Sequence, residues 1–268
     1  MKKVISVVLS LVMLCLIVVP VSAAEAGIVL AMNGVTAYSI VVAENATETE
    51  GNAAGVLESH LEQITGADFT VIRDSEEESD YEIVVGVTNR EEANPVDRSE
   101  LGDEGVRIFN EGKKLFLTGG EKRGAIYAVY TFLEEFLGCR WFVKSVPVTP
   151  DRGDCIVIPE IPELVLEDID YTYIPPFVLR QTYWMFSTMY VDYSVAHKLH
   201  GMMAGVPESL GGIPTDACIN GVHTMGWIIT QDMYAAHPEY FGMDDSGIRQ
   251  PNRQPCFSNK DVLEIVIA

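Results

Sequence analysis

Apolar residues along this chain recur with a period near two in some stretches and near three and a half in others. The alternation between the two sets out the elements. AYSIVVAE, FTVIRD and YEIVVGVT read as strands. Between the first two, ETEGNAAGVLESHLEQITGAD puts Ala53, Leu57, Leu61 and Ile64 on one helical face and stops at Gly66. GVRIFNEGKKLFLTGG reads as a hairpin turned at Glu111-Gly112. Ile126, Val129, Tyr130, Leu133, Phe136 and Leu137 then mark a second helix, with Glu134 and Glu135 on its other face. Gly138 closes it before the strand CRWFV. These elements predict a mixed sheet carrying at least two helices.

Pro159, Pro162, Pro175 and Pro176 cluster around the acidic stretch PELVLEDIDYTYIPP, which reads as an extended connection and marks a seam. Beyond it the texture changes. PFVLRQTYW reads as a strand, DYSVAHKLHG as a short helix closed by Gly201, and MMAGV as a strand-like run. A Gly- and Pro-rich loop from Pro207 to Gly221 leads into GVHTMGWI. TQDMYAAHPEYF reads as a helix capped by Thr230, and YFGMDDSGIRQ as a hairpin turned at Asp245-Ser246-Gly247. SNKDVLEIVIA opens a helix with the capping box Ser258-x-x-Asp261. No stop signal follows before Ala268, so the chain reads as the front portion of a longer protein.

The first residues change the picture most. Lys2 and Lys3, the apolar run Val4 to Val19 and the small residues Val21-Ser22-Ala23 have the form of a secretory signal peptide over residues 1–23. A secreted protein without a membrane anchor is therefore expected. The net charge of −21 opposes contact with nucleic acid or anionic lipid, so neither is expected as a partner. Cys139, Cys155, Cys218 and Cys256 are widely spaced with no C-x-x-C pair, and both free thiols and disulfides fit them.

The run FLTGGEKRGAIYAVYTFLEEFLGCRWF poses a specific question, because glycines at the end of a strand and the start of a helix can cradle a phosphate. Gly119, Gly120 and Gly124 give G-G-x-x-x-G, without the third glycine spacing of a dinucleotide loop or the Lys-Ser/Thr pair of a P-loop. A ligand-free turn is the expectation, and no cofactor is expected.

ESHLEQITGADFTV, the long stretch ending in GCRWF, and AHPEYFGMDDSG with QPCFSNKDVLEIVI resemble bacterial proteins carrying the domain of unknown function numbered 4838. The first half is similar to the α/β domain that precedes the barrel in family 20 β-hexosaminidases and family 67 α-glucuronidases. The departure is Ala128, where glycine is expected. The resemblance implies an α/β protein: an N-terminal mixed-sheet α/β domain over 24–165, then the first units of an incomplete (β/α)8 TIM barrel over 166–268. It implies a glycoside-hydrolase-like protein with a carbohydrate substrate, whose catalytic acids lie beyond residue 268. A 268-residue product alone is then expected to be inactive on aryl glycosides. A non-catalytic sugar-binding or surface protein on the same scaffold is the alternative.

Four residues are the candidates for substrate contact. Arg180 stands where related hexosaminidases hold sugar hydroxyls, and its planar fork suits paired oxygens; a structural pairing with an acid is the alternative. His223, in NGVHTMGW, stands between a Gly-containing loop and an apolar run that reads as a strand end. Tyr183 and Trp184 offer rings for a sugar face, as does Trp227, and core packing would also account for them. His197 and His200 share a helical face but lack H-E-x-x-H and a third ligand, so no metal is expected. Glu239, Asp244 and Asp245 read as turn and surface acids rather than a catalytic pair.

Overall fold

The computed structural model describes residues 27–92, 95–143, 155–182, 184–201, 205–212 and 225–267. Residues 1–23 (the expected signal peptide), Tyr183, residues 202–204 of MMAGV, Cys218 and His223 lie outside the described residues. The chain divides into two compact units, 1–213 and 214–268.

The first unit is built on a six-stranded sheet. Its strands are β2 (Ser39–Val42), β3 (Thr70–Arg73), β4 (Glu82–Val85), β5 (Val106–Glu111), β6 (Lys114–Gly119) and β10 (Asp170–Tyr173), in the order β10-β5-β6-β4-β2-β3. β3, β2, β4 and β6 run parallel, while β5 and β10 are antiparallel to their neighbours. Strand alternation sends Ile40, Val42, Ile83, Val85, Leu115 and Leu117 into one core, under two helices. Val84, Phe109 and Phe116 form a smaller cluster apart from it.

The helices are the expected ones. In α1 (Glu48–Thr65), Thr47 and Glu50 form a capping box, Gly66 closes the helix at φ 71°, and Ala53, Leu57, Leu61 and Ile64 are buried. α2 (Gly124–Thr131) continues through a π-helical turn at Phe132–Phe136, where the Leu137 amide bonds the Phe132 carbonyl five residues back. The hairpin turn lies at Gly112-Lys113, one residue later than expected, with Gly112 at φ 58°.

The seam is more than a connection. β9 (Glu163–Leu166) pairs with β1 (Ile28–Met32), and β10 becomes the edge of the main sheet. A further pair joins β7 (Arg140–Val143) to β8 (Cys155–Val157).

Two helical glycines have no packing role. A Cβ on Gly51 or Gly55 would meet nothing within 4 Å. Glycine inside a helix costs about 0.5–1 kcal/mol relative to alanine. Gly51→Ala and Gly55→Ala should therefore each stabilise the protein by about that amount. Urea denaturation reads this, and a lower midpoint for both would contradict it.

After β10 no strand forms among the described residues, and PFVLRQTYW is not one. Pro175 and Pro176 supply no amide donors, Phe177 and Val178 are 68% and 66% exposed, and Arg180 is fixed by side-chain bonds instead of a ladder. α3 (Met185–Met189) and α4 (Val191–Ala196) follow. α4 ends before Gly201, because the chain already turns at Lys198, φ 56°.

In the second unit, α5 (Met225–Ile228), two 3-10 turns at Gln231–Ala235 and Pro238–Tyr240, and α6 (Lys260–Ile267) enclose Ile229, Tyr240, Phe241 and Val262. TQDMYAAHPEYF is thus split at His237-Pro238 instead of forming one helix. Thr230 precedes it without a side-chain cap bond. The hairpin is reduced to one bridge, Met243 to Arg249. The cap of α6 shifts by one residue: Asn259, not Ser258, accepts the Asp261 amide through Oδ1, at 2.8 Å.

Candidate functional site

Whether the glycine run holds a ligand is decided by its neighbours. A Cβ on Gly119 would lie 2.1 Å from the Gly105 carbonyl oxygen, and one on Gly124 2.4 Å from the Gly119 carbonyl carbon. The amides of Gly120, Glu121 and Arg123 donate to the carbonyls of Gly105, Gly102 and Asp103. The glycines let three backbone segments touch, and the donors a phosphate would need are already used. The crevice between β2 and β4, where open α/β sheets bind ligands, is likewise filled from within. The Glu50 carboxylate there accepts the amides of Val87, at 2.9 Å, and Thr47, at 2.8 Å.

The same 101–105 turn presents Glu104, and around its carboxylate the unit assembles a buried polar cluster. Arg123, at the start of α2, donates through Nε at 2.7 Å. Arg180 reaches both carboxylate oxygens, Nη1 to Oε2 at 2.9 Å and Nη2 to Oε1 at 3.0 Å. His200 Nε2 stands 2.5 Å from Oε1. Arg123 is 1% and His200 0% exposed, so these polar groups have almost no access to water. Arg123 also donates to the carbonyls of Gly211 and Gly212. Tyr127 is buried beside the cluster, with its hydroxyl facing Arg180.

The bonds fix the tautomer of His200. The Arg180 amide donates to Nδ1 at 3.0 Å, so Nδ1 carries no proton and Nε2–H donates to Glu104. The His200 amide returns a bond to the Arg180 carbonyl at 2.9 Å. Burial pushes the Glu104 carboxyl up, but the bonds from His200 and Arg180 and the charge of Arg123 outweigh it and hold it at about 2.

Arg180 is thus among the residues drawn together, but its donors go to protein acceptors: Glu104, the Phe177 carbonyl and the Lys198 carbonyl. Trp184 lies apart, 54% exposed and edge-on to Phe186. Trp227 is also exposed. His197 and His200 do not converge, for His197 Nε2 bonds the Trp141 carbonyl at 2.8 Å. Among the described residues no group of His, Cys, Asp or Glu is arranged to hold a metal. Asp244 accepts the amides of Ser246 and Ile248 in its own turn, and Glu239 pairs with His237. Cys139, Cys155 and Cys256 are free thiols.

Sequence reasoning missed Glu104, Arg123 and the pocket that adjoins Arg180. That pocket has a volume of about 290 Å³, and Tyr171, Tyr173, His197 and Lys198 help line it. Tyr171 and Tyr173 sit two apart in one strand, which puts them on one face; this was the available signal.

Residues 32–132 match the family described as the glycosyl hydrolase family 67 N-terminus, and residues 153–268 match the family described as Domain of unknown function (DUF4838). A solved family GH115 4-O-methyl-α-glucuronidase with specificity for decorated arabinogalactans aligns at 17% identity with a TM-score of 0.31. The alignment covers 39% of this chain and 14% of that one, so this chain spans a small part of its length. No curated protein matches the chain.

Proposed function

Given a chain that joins a glycosyl hydrolase family 67 N-terminal region to a glycoside-hydrolase-like DUF4838 domain, we propose that it is the front part of an exported carbohydrate-active protein acting on glycosidic bonds. The observation that carries the reading is the Glu104 cluster. Its carboxylate and Arg123 come from the family 67-type region, and Arg180 and His200 come from the DUF4838 region. The first region is built to hold the opening segments of the second, as a support for a sugar-processing domain does.

In this proposal the barrel expected over 166–268 begins after β10, which belongs to the first unit's sheet. Tyr183, Trp184 and His223 contact the sugar, while Arg180, whose donors go to Glu104 and two carbonyls, holds the segment in place. The chemistry is hydrolysis by two carboxylates, or by one acid working with the substrate's own acetamido group. Export rests on the N-terminal Lys-Lys, apolar run and small-residue cleavage site. The Trp184 ring is exposed and open to stack on a pyranose, as is that of Trp227.

Affinity electrophoresis of the protein in gels cast with a panel of plant and bacterial polysaccharides tests this. At least one polysaccharide should retard it, with Trp184→Ala weakening the retardation about tenfold. Protein that migrates unretarded through every gel, and releases no sugar from any of the polymers, would remove the reading.

A further inference from the structure

The pocket beside Arg180 carries its own chemistry. Tyr171 and Tyr173 project from one face of β10, with Tyr171 braced edge-on by Phe136 at 5.8 Å. Among the described residues, no hydrogen bond is made by either tyrosine hydroxyl, by Glu135 or by the Lys198 ammonium. The nearest anion to Nζ is Glu134 Oε2 at 3.8 Å, beyond hydrogen-bond reach. Lys198 is held at φ 56°, a conformation that side-chain-bearing residues avoid and that is kept where surrounding structure enforces it. Here the enforcing bond is Arg180 Nε to the Lys198 carbonyl, at 2.7 Å. His197 donates from Nε2 to Trp141, which leaves Nδ1 an acceptor.

The pocket thus offers unused donors and acceptors around two aromatic rings. Its volume of about 290 Å³ is at the small end of ligand sites, enough for one sugar ring. Its charge decides which sugar. Glu104 is shared by Arg180 and Arg123, Glu134 faces Lys198, and Glu135 lines the pocket, so the three acids balance the three bases and no net positive charge is available for an anion. We propose that this pocket is a subsite for a single neutral pyranose, with Lys198 and Tyr173 bonding its hydroxyls and the tyrosine rings meeting its C–H face. The inference rests on the carbohydrate reading above and adds a site and a ligand class to it.

The test uses the methyl β-glycosides of glucose, galactose, mannose and xylose, with methyl glucuronoside as the anionic comparison. Binding is read by saturation-transfer NMR and by calorimetry. Lys198→Gly is the informative variant, because glycine accepts φ 56° without strain and the fold is kept. At least one neutral glycoside should bind, about tenfold or more weakly to Lys198→Gly and to Tyr173→Ala, as expected for the loss of a bond to a charged donor. The glucuronoside should bind more weakly than the best neutral sugar.

Neutral-sugar binding that is unchanged in both variants but lost in Trp184→Ala would overturn the subsite and leave the carbohydrate reading standing. A preference for the glucuronoside would overturn the neutral-ligand assignment. No binding by any of the glycosides would overturn the subsite too, and polysaccharide retardation then decides whether the wider reading falls with it.

Discussion

Glu104→Ala should lower the stability of the first unit by about 3–5 kcal/mol, the cost of breaking a buried ion pair and leaving its partner charged and unpaired. Two guanidinium groups, Arg123 and Arg180, share this one carboxylate at 2.7–3.0 Å, and His200 donates to it as well. Glu104→Gln keeps the shape but turns an NH2 group toward Arg180's donors, so it should cost nearly as much. Urea denaturation at pH 7 measures both; a loss under about 1 kcal/mol, typical of exposed pairs, would mean that the cluster is not a structural clamp. The pH dependence has a defined sign. The folded carboxyl is held at about 2 against an ordinary value of 4.5. Its stabilisation is therefore complete above the ordinary value and is lost as pH falls from there through about 2. Stability of the wild-type protein should fall across that window, and the corresponding slope should be smaller in Glu104→Ala.

Gly119→Ala should be as damaging for a different reason. The added Cβ would sit 2.1 Å from the Gly105 carbonyl oxygen and 2.8 Å from the Gly124 Cα, both backbone atoms that cannot swing aside. Separating β6 from the 101–105 turn also displaces Glu104. A loss of about 3 kcal/mol or more is expected, at the upper end of overpacking effects. It should be read from the same denaturation curves. Tolerance of alanine at Gly119 would contradict the close backbone approach and reopen the glycine run as a ligand loop.

Much of the first unit was legible because its signals are local. Gly66 after a 3.6-period apolar face, the alternation in AYSIVVAE and YEIVVGVT, and Gly112 in a hairpin each fix a short stretch by sterics or period. The tight turn at Gly119, Gly120 and Gly124 was legible too, because glycines at a strand end and a helix start allow close backbone approach. The later part was not. PFVLRQTYW alternates like a strand, yet its conformation is decided by Arg180 bonding Glu104, 76 residues away, and His200. No local pattern records such a pairing. The seam at PELVLEDIDYTYIPP misled because proline and acid density suggested a linker, whereas Leu164 and Leu166 face the core and β10 completes the sheet. Of the candidate contacts, Arg180 could be named from sequence because its place in a motif is recognisable. Glu104 sits in an unremarkable turn, LGDEG, and only the fold shows what it faces.

The central claim is that the family 67-type region and the opening of the DUF4838 region form one cooperative unit through Glu104. Hydrogen exchange of the backbone amides tests it directly, since cooperative units open with a common free energy. In the wild-type protein, the amides of Arg180 and His200 should exchange with the same opening free energy as those of β5 and β6. In Glu104→Gln they should exchange faster than those strands. Arg180 and His200 amides that already exchange independently of β5 and β6 in the wild-type protein would contradict the account.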